Sequence, residues 1–298
     1  MSKNFVSLAC AIACSFIWGT AFIAQDTGMD NIGPLTFNSA RFLTGFVFML
    51  PIALIIEKKK IVKEIKSNAK IFLKLWFYMG MVLFFGTYLQ QASLLFTNIA
   101  NAAFFTVFYV PIVPVLLFFI YSKKVHSSIW LSIGLCIFGV YLLSDFSNST
   151  IMLGDALVIL CAVFWALHII FTGEFVKHFD IPLFYAALQA AFVGLISFVF
   201  ATIFEEINLS KIILESSSIL YAGILSGGIA FSLQIYAQKN IDEAPAAIIY
   251  SLEGVFAAVA AWIILNQILG ISNIIGCVLI LLAVIISQLF PGVKSNYK

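Results

Sequence analysis

The chain has 298 residues, of which 62% are hydrophobic and only 10% are charged, and its formal net charge is +2. Soluble globular domains carry about 25% charged residues, so this composition excludes a soluble fold and predicts a polytopic membrane protein. The small net charge by itself says nothing about partners.

Apolar segments predict the membrane crossings. A spanning helix needs about 20 mostly apolar residues to cross roughly 30 Å of hydrocarbon, and ten segments in the chain meet this requirement. They are approximately residues 5–24, 35–56, 71–94, 99–121, 129–144, 154–172, 182–203, 217–238, 245–265 and 270–290. The first is too long for the apolar core of a signal peptide. The sequence therefore predicts an all-α protein with ten transmembrane helices.

The basic residues predict the orientation of these spans. With ten spans the two termini lie on one side, and every basic residue except Arg41 and Lys211 falls in a terminus or loop on that side. Basic residues concentrate on the cytoplasmic side of membrane proteins, so we expect both termini in the cytoplasm and a multi-pass protein of the cell membrane. The lysine-rich loop 57–70 on this side is either a solvated orientation determinant or a binding site for anionic lipids.

An internal repeat divides the chain. Segments of the first half have counterparts, in the same order, in the second half. The matched pairs are 6–18 with 153–165, 33–37 with 181–185, Gln90 with Gln234, 101–105 with 245–249, and the glycines Gly134 and Gly276 of the last spans. Each half contains five spans, an odd number, so the halves must be antiparallel in the membrane. We therefore predict two inverted five-helix repeats, 1–147 and 148–298, with a binding site near the midplane between them.

Several of these motifs occur together in one known family. They are Trp18-Gly19, Arg41, Ala100-Asn101-Ala102-Ala103, Tyr250-Ser251-Leu252-Glu253 and Gly276. In this set the chain resembles the EamA-type ten-helix permeases of the drug/metabolite transporter superfamily. The resemblance implies proton- or gradient-coupled movement or exchange of small metabolites, most often outward, with substrates that include amino acids, amines and drugs.

The chain departs from the family pattern at three places. Members often have Gly-Glu just after spans four and nine, where this chain has Ser122-Lys123 and Asn266-Gln267. Leu-Glu-Pro is usual in span nine, where Gly254 follows Glu253 here. These departures bear on the subfamily and leave the predicted fold unchanged.

Two charged residues lie well inside the spans. Arg41 is about 9 Å from the outer end of its helix and Glu253 about 12 Å from the inner end of its own, at 1.5 Å per residue. Because charges inside a membrane usually pair, we expect Arg41 and Glu253 either to interact across the repeat interface or to share a water-filled cavity. Glu253 is then either a titratable switch or half of a permanent ion pair.

Polar and aromatic side chains supply the other candidates for substrate binding or coupling. Amide side chains in lipid need hydrogen-bond partners, so the buried glutamines and asparagines should face the interior. Trp18 and Trp165 are candidates because they occupy matching positions of the repeat. Tyr250 is a candidate because it precedes Glu253 by one helical turn. His168 could shuttle protons or could simply pack between helices. The full set of candidates is Trp18, Arg41, Gln90, Asn101, Tyr109, Trp165, His168, Gln189, Gln234, Tyr250 and Glu253.

Backbone irregularities are expected in two spans. Pro111 and Pro114 remove backbone donors inside span four and predict a kink, while Gly227-Gly228 is a candidate bend in span eight.

The sequence predicts a secondary transporter that exports or exchanges small amphipathic metabolites, such as amino acids or drug-like compounds, by alternating access. It has no nucleotide-binding, metal-ligand or hydrolase motif, so we expect no enzyme activity, cofactor or metal. The expected partners are a small-molecule substrate and the bilayer, with no nucleic acid, in a monomer or homodimer. The alternatives are a passive channel and an intramembrane enzyme, although neither Glu253 nor His168 has an evident nucleophile beside it.

Overall fold

A computed structural model describes residues 3–97, 99–143, 153–265 and 270–289 of the chain. These residues form helices joined by short connections, and no strand occurs among them. The helices in chain order are α1 (Lys3–Thr27), α2 (Pro34–Ile56), α3 (Lys58–Ser93), α4 (Ile99–Thr106), α5 (Tyr109–Tyr121), α6 (Ser127–Leu143), α7 (Leu153–His178), α8 (Pro182–Phe204), α9 (Leu209–Leu214), α10 (Ser216–Leu220), α11 (Phe231–Ala237), α12 (Glu243–Tyr250), α13 (Leu252–Leu265) and α14 (Ile271–Leu289).

The predicted ten-helix architecture is confirmed. Within the described ranges, nine helical segments are long and apolar enough to cross a membrane, and α6 is a tenth, shorter apolar helix. Residues 144 and 290, which end the predicted fifth and tenth spans, lie outside the described residues. The boundary at 147/148 lies there too, so the division into two repeats stays a prediction.

The lysine-rich segment 57–70 is helical, and the prediction of a loop there is wrong. It forms the first turns of α3, which continues into span three after a kink at Asn68, where φ is −142° and ψ is 40°. Lysine and glutamate are good helix formers, and Ile61 on this segment is buried against the rest of the protein. We call the side of the bundle that carries this segment the lysine-rich face.

Spans four and nine are each interrupted near their middle. Span four consists of α4 and α5, which meet at Val107 and Phe108, and span nine consists of α12 and α13, which meet at Ser251. The amide of Val110 bonds to the carbonyl of Val107, and the amide of Gly254 bonds to that of Ser251. These two i→i−3 bonds occupy positions that match in the internal repeat, 144 residues apart.

Span eight contains a different irregularity. A π-helical segment, Tyr221–Ala230, lies between α10 and α11 and includes Gly227-Gly228, where the sequence predicts a bend. A Cβ atom at Gly45 of α2 would approach within 2.6 Å of the Gly223 carbonyl oxygen. Such segments often occur at functional sites, and this one packs its backbone directly against α2.

Helices from the two halves pack against each other in matching pairs. The second spans of the two halves pair as α2 with α8, and the fifth spans pair as α6 with α14. Span three of the first half (α3) packs on span one of the second half (α7), and span three of the second half (α11 with the π segment) packs on span one of the first half (α1). Between α6 and α14 the close contact is made by Gly139 and Gly276, where an added Cβ would approach within 2.8 Å of the opposite carbonyl oxygen. Gly134, which the sequence matches with Gly276, faces open space instead.

Two carboxylates join α2 and α8 reciprocally. Glu205 follows α8 and accepts hydrogen bonds from the amides of Leu35 and Thr36, both at 2.8 Å, in the first turn of α2. Glu57 follows α2 and accepts bonds from the amides of Leu183 (3.2 Å) and Phe184 (2.8 Å) in the first turn of α8. Because free amides and a positive dipole mark a helix start, each carboxylate caps the partner helix, one at each face of the bundle.

Candidate functional site

The interrupted spans border a buried cavity. It contains about 530 Å³ of empty space, counting the part open to solvent. Eight of the eleven sequence candidates lie on its wall: Trp18, Arg41, Gln90, Tyr109, Trp165, Gln234, Tyr250 and Glu253. These residues come from spans one, two, three, four, six, eight and nine, so both halves of the chain contribute.

Glu253 is held at the point where the interrupted spans approach each other. The Tyr109 hydroxyl donates a hydrogen bond of 3.1 Å to Glu253 Oε1. Tyr109 is the first residue of α5 and Glu253 the second residue of α13, and the two positions match in the internal repeat. A carboxylate in the first turn of a helix is stabilised by the helix dipole. The interruption of span nine therefore offsets part of the cost of a negative charge inside the bundle.

Arg41 lies on another wall of the cavity. Its side chain is buried, its Nε donates a 2.8 Å hydrogen bond to Asn38 Oδ1, and its guanidinium carbon lies 5.4 Å and 4.9 Å from the ring centres of Phe37 and Phe42. No salt bridge joins Arg41 to Glu253 among the described residues. Of the two predicted arrangements, a direct ion pair does not occur among the described residues, whereas both side chains line one cavity.

The amides and aromatic rings form the rest of the predicted wall. Gln90 Nε2 donates to the Thr106 hydroxyl at 3.1 Å, whereas both amide atoms of the fully buried Gln234 have no hydrogen-bond partner within the described structure. The rings of Trp18 and Trp165 lie 6.1 Å apart in a tilted arrangement. The matching residues Trp18 and Trp165 thus lie side by side at the cavity, as a two-fold relation between the halves would produce.

Three predicted candidates lie elsewhere. His168 Nε2 is 3.2 Å from Gln189 Oε1, and Gln189 Nε2 is 3.8 Å from the sulfur of Met79. Asn101 is buried in α4 away from the cavity wall. The arrangement of His168 and Gln189 favours the interpretation of His168 as a helix-packing residue.

Other wall residues were missed by the sequence reasoning. They are Phe22, Gln25, Phe42, Thr87, Thr106, Ile169, Ser226 and Phe231. Hydroxyl and aromatic side chains are common in transmembrane helices and carry no depth signal, so little in the sequence distinguishes most of them. Gln25 was detectable as an amide near the end of span one.

Ion pairs lie at the lysine-rich face. Lys123, just after α5, contacts Glu243 of α12 at 2.7 Å, and both side chains are largely buried. Asp180, in the connection before α8, contacts Lys239 and Lys60. Burial alone would raise the pKa of the Asp180 carboxyl, but its hydrogen bonds from Lys239 and Lys60 hold that pKa below the usual range. All salt bridges in the described part of the chain lie on this face.

Comparison with known proteins agrees with this architecture. The sequence matches the EamA-like transporter family over residues 6–145 and 152–289. It is 30% identical over 297 residues to an "Uncharacterized transporter" of Archaeoglobus fulgidus, covering 97% of this chain and 87% of that protein. It is 26% identical over 280 residues to the "Uncharacterized transporter YoaV" of Bacillus subtilis, covering 90% and 92%.

A solved crystal structure has the same fold. It superposes with a TM-score of 0.76 at 14% sequence identity and covers 95% of this chain and 96% of that one. At this identity the superposition bears on the fold alone. The family match, by contrast, extends over nearly all of this sequence. The chain therefore belongs to the EamA-like transporter family of membrane proteins.

Proposed function

We propose that the protein is a gradient-driven secondary transporter of the cell membrane, with both termini in the cytoplasm, that exports or exchanges small amphipathic metabolites. The two inverted repeats rock about the cavity and expose it to one side of the membrane at a time. The observation that carries this proposal is the Tyr109–Glu253 hydrogen bond, which joins matching positions of the two halves where spans four and nine are interrupted.

Interrupted helices support binding at the midplane. In many transporters, discontinuous helices place free backbone groups and helix ends beside the substrate. Here both interruptions border the cavity, and the wall combines two charged residues with amides, hydroxyls and aromatic rings. A small molecule with polar and apolar parts would find partners for both on this wall.

Close helix contacts support movement between the halves. A Cβ at Gly19 of α1 would lie 2.5 Å from the backbone oxygen of Glu253, and Gly139 and Gly276 meet in the same manner between α6 and α14. Small residues at such contacts allow the backbones to approach closely. A change in the angle between the halves then alters few interlocked side chains.

The two faces of the bundle differ in a way that suits alternating access. The lysine-rich face is closed by ion pairs between elements of different spans, such as Lys123 with Glu243. On the opposite face, Thr20 bonds to Tyr221 at 2.6 Å and Asn31 to Glu215 at 2.6 Å. These contacts must break in turn if the cavity opens to one side and then to the other.

Flux through proteoliposomes tests the proposal. The purified protein is reconstituted into liposomes loaded with a soluble metabolite extract, and released compounds are identified by mass spectrometry against protein-free liposomes. We expect saturable release that the same compound, added outside, accelerates. Fast, unsaturable flux would indicate a channel, and release equal to that of protein-free liposomes would contradict transport altogether.

A variant pair links the flux to the cavity. Glu253→Gln should slow transport and flatten its pH dependence, because the carboxylate can no longer change its charge. Glu206→Gln, at an exposed position outside the spans, is the control and should behave like the wild type. Unchanged rate and pH dependence in Glu253→Gln would remove Glu253 from the coupling mechanism.

A further inference from the structure

Arg41 is a buried cation to which the described residues supply no counter-charge. Its residue is 3% exposed, and in the described part of the chain no carboxylate lies within salt-bridge distance of it. A charge removed from water without a partner is costly. The aromatic faces of Phe37 and Phe42 offset part of this cost but accept no hydrogen bonds in the plane of the guanidinium.

The hydrogen bond to Asn38 fixes how Arg41 can bind a ligand. It uses Nε, which leaves the two terminal amino groups of the guanidinium for another acceptor. Those two groups form a fork that matches the two oxygens of a carboxylate. Asn38 Oδ1 thus holds the guanidinium so that its free end is available at the cavity wall.

The one carboxylate on the cavity wall is already engaged elsewhere. Glu253 lies on span nine and receives the Tyr109 hydroxyl, whereas Arg41 lies on span two. Because no carboxylate of the described residues reaches Arg41, the ligand is the natural source of an anion. Resting on the proposed transport function, we propose that the transported molecule carries a carboxylate group that binds end-on to Arg41, with Asn38 as the positioning residue.

The surrounding wall favours a carboxylate over a phosphate. Arg41 is the only cationic side chain on the described wall, and Glu253 shares the same cavity. A doubly charged group would meet one cation and one anion, whereas a carboxylate is matched by the single guanidinium.

Unused buried acceptors indicate where the rest of the molecule binds. Gln234 Oε1 and Gln25 Oε1 have no hydrogen-bond partner within the described structure, and both residues line the cavity. Buried carbonyl oxygens are normally satisfied, and an N–H donor on the ligand would satisfy them. Such a donor would accompany the carboxylate in an amino acid or in an amide-bearing acid.

The experiment asks which compounds leave the liposomes. Proteoliposomes containing the full-length protein are loaded with a soluble metabolite extract, and every compound released above the protein-free background is sorted by functional group. We expect the released set to consist of carboxylates, with or without an amine. For each compound, the primary amide is then tested on the wild-type protein and should be released at least about tenfold more slowly, because a charge-assisted hydrogen-bond pair is lost.

Variants test the roles of the two residues. Arg41→Gln should reduce release about tenfold or more, and Arg41→Lys should restore part of it because the cation remains without the fork. Asn38→Ala should raise KM several-fold with little change in maximal rate, a split that a purely structural role would not produce. Size-exclusion chromatography in detergent checks that each variant is folded.

The outcomes separate this inference from the proposed function. Release of compounds that lack a carboxylate, or equal release of acids and their amides, overturns the inference while leaving transport intact. No release above background overturns both. Release of carboxylates that depends on Arg41 supports both, and the presence or absence of an amine in the released set distinguishes zwitterions from simple acids.

Discussion

The cap that Glu205 places on α2 makes a quantitative prediction about stability. Glu205 accepts bonds from the Leu35 amide, the Thr36 amide and the Thr36 hydroxyl, at 2.8, 2.8 and 2.7 Å. The N-cap residue of α2 is Gly33, which has no side chain to cap the helix. In Glu205→Gln, one oxygen remains as an acceptor, the charge is lost, and an amino group faces the donors.

The magnitude follows from these contacts. A hydrogen bond to a charged group contributes about 1.5–3 kcal/mol, and a charge at a helix start adds about 0.3–1 kcal/mol. Glu205 is partly exposed, which reduces both contributions. We therefore expect Glu205→Gln to lower the free energy of unfolding by about 2 kcal/mol.

The measurement is unfolding of the purified protein in mixed detergent micelles, followed by circular dichroism as the denaturing detergent is increased. Glu206→Gln is the matched control, since Glu206 is the next residue in the chain and is exposed. Glu57→Gln should destabilise by a similar amount, because Glu57 caps α8 as Glu205 caps α2. Equal stability of Glu205→Gln and Glu206→Gln would refute the capping argument.

Gly33 offers an independent check of the same contact. A Cβ atom there would lie 2.3 Å from Glu205 Cδ, so Gly33→Ala must displace the carboxylate. Adding Gly33→Ala to Glu205→Gln should then cost less than Gly33→Ala alone, since both changes disrupt one interaction. If the two changes in unfolding free energy are strictly additive, the cost of Gly33→Ala does not come from the contact with Glu205.

Three further changes test other contacts. Tyr109→Phe removes the donor to Glu253 and should slow transport several-fold while unfolding free energy falls by about 1 kcal/mol; an unchanged flux would make the bond structural only. Ser122→Gly should raise the free energy of unfolding by about 0.5–1 kcal/mol, because Ser122 has a left-handed φ of 51°, and a lower midpoint would contradict this. Lys123→Glu should open the lysine-rich face, so that a cysteine introduced in the cavity is labelled faster. Adding Glu243→Lys to the same chain should restore slow labelling. Labelling at the wild-type rate in Lys123→Glu would argue against a closing role of the ion pair.

The interruption of span four could be predicted from the sequence, but that of span nine could not. Pro111 has no amide hydrogen to bond to the Val107 carbonyl, and its ring crowds that carbonyl, so the helix breaks one turn before the proline. Span nine has Gly254 where the family usually has proline. A lone glycine weakens a helix without fixing where it breaks, and the bond from Gly254 to Ser251 becomes visible only in the packed structure.

The relation of Arg41 to Glu253 shows a similar limit. Counting residues along a helix predicts the depth of each side chain, and both side chains line one cavity in the structure. The depth of a side chain does not indicate which nearby group forms a hydrogen bond with it. Asn38 lies three residues before Arg41 on the same helix face, so its hydrogen bond could have been anticipated, whereas the Tyr109 contact joins distant parts of the chain.

The internal repeat also exposes an asymmetry between the two faces. Under the spacing of 144 residues that matches Tyr109 with Glu253, Lys123 corresponds to Gln267 and Glu243 to Ile99. A glutamine and an isoleucine cannot form an ion pair, so the sequence has no equivalent of the Lys123–Glu243 ion pair at the matching positions. A partly screened ion pair contributes up to about 1 kcal/mol, which is roughly a fivefold change in population. In the proposed alternating-access cycle, this pair favours the state that is closed at the lysine-rich face when the cavity is empty. High salt, which weakens ion pairs that water reaches, should then reduce that preference.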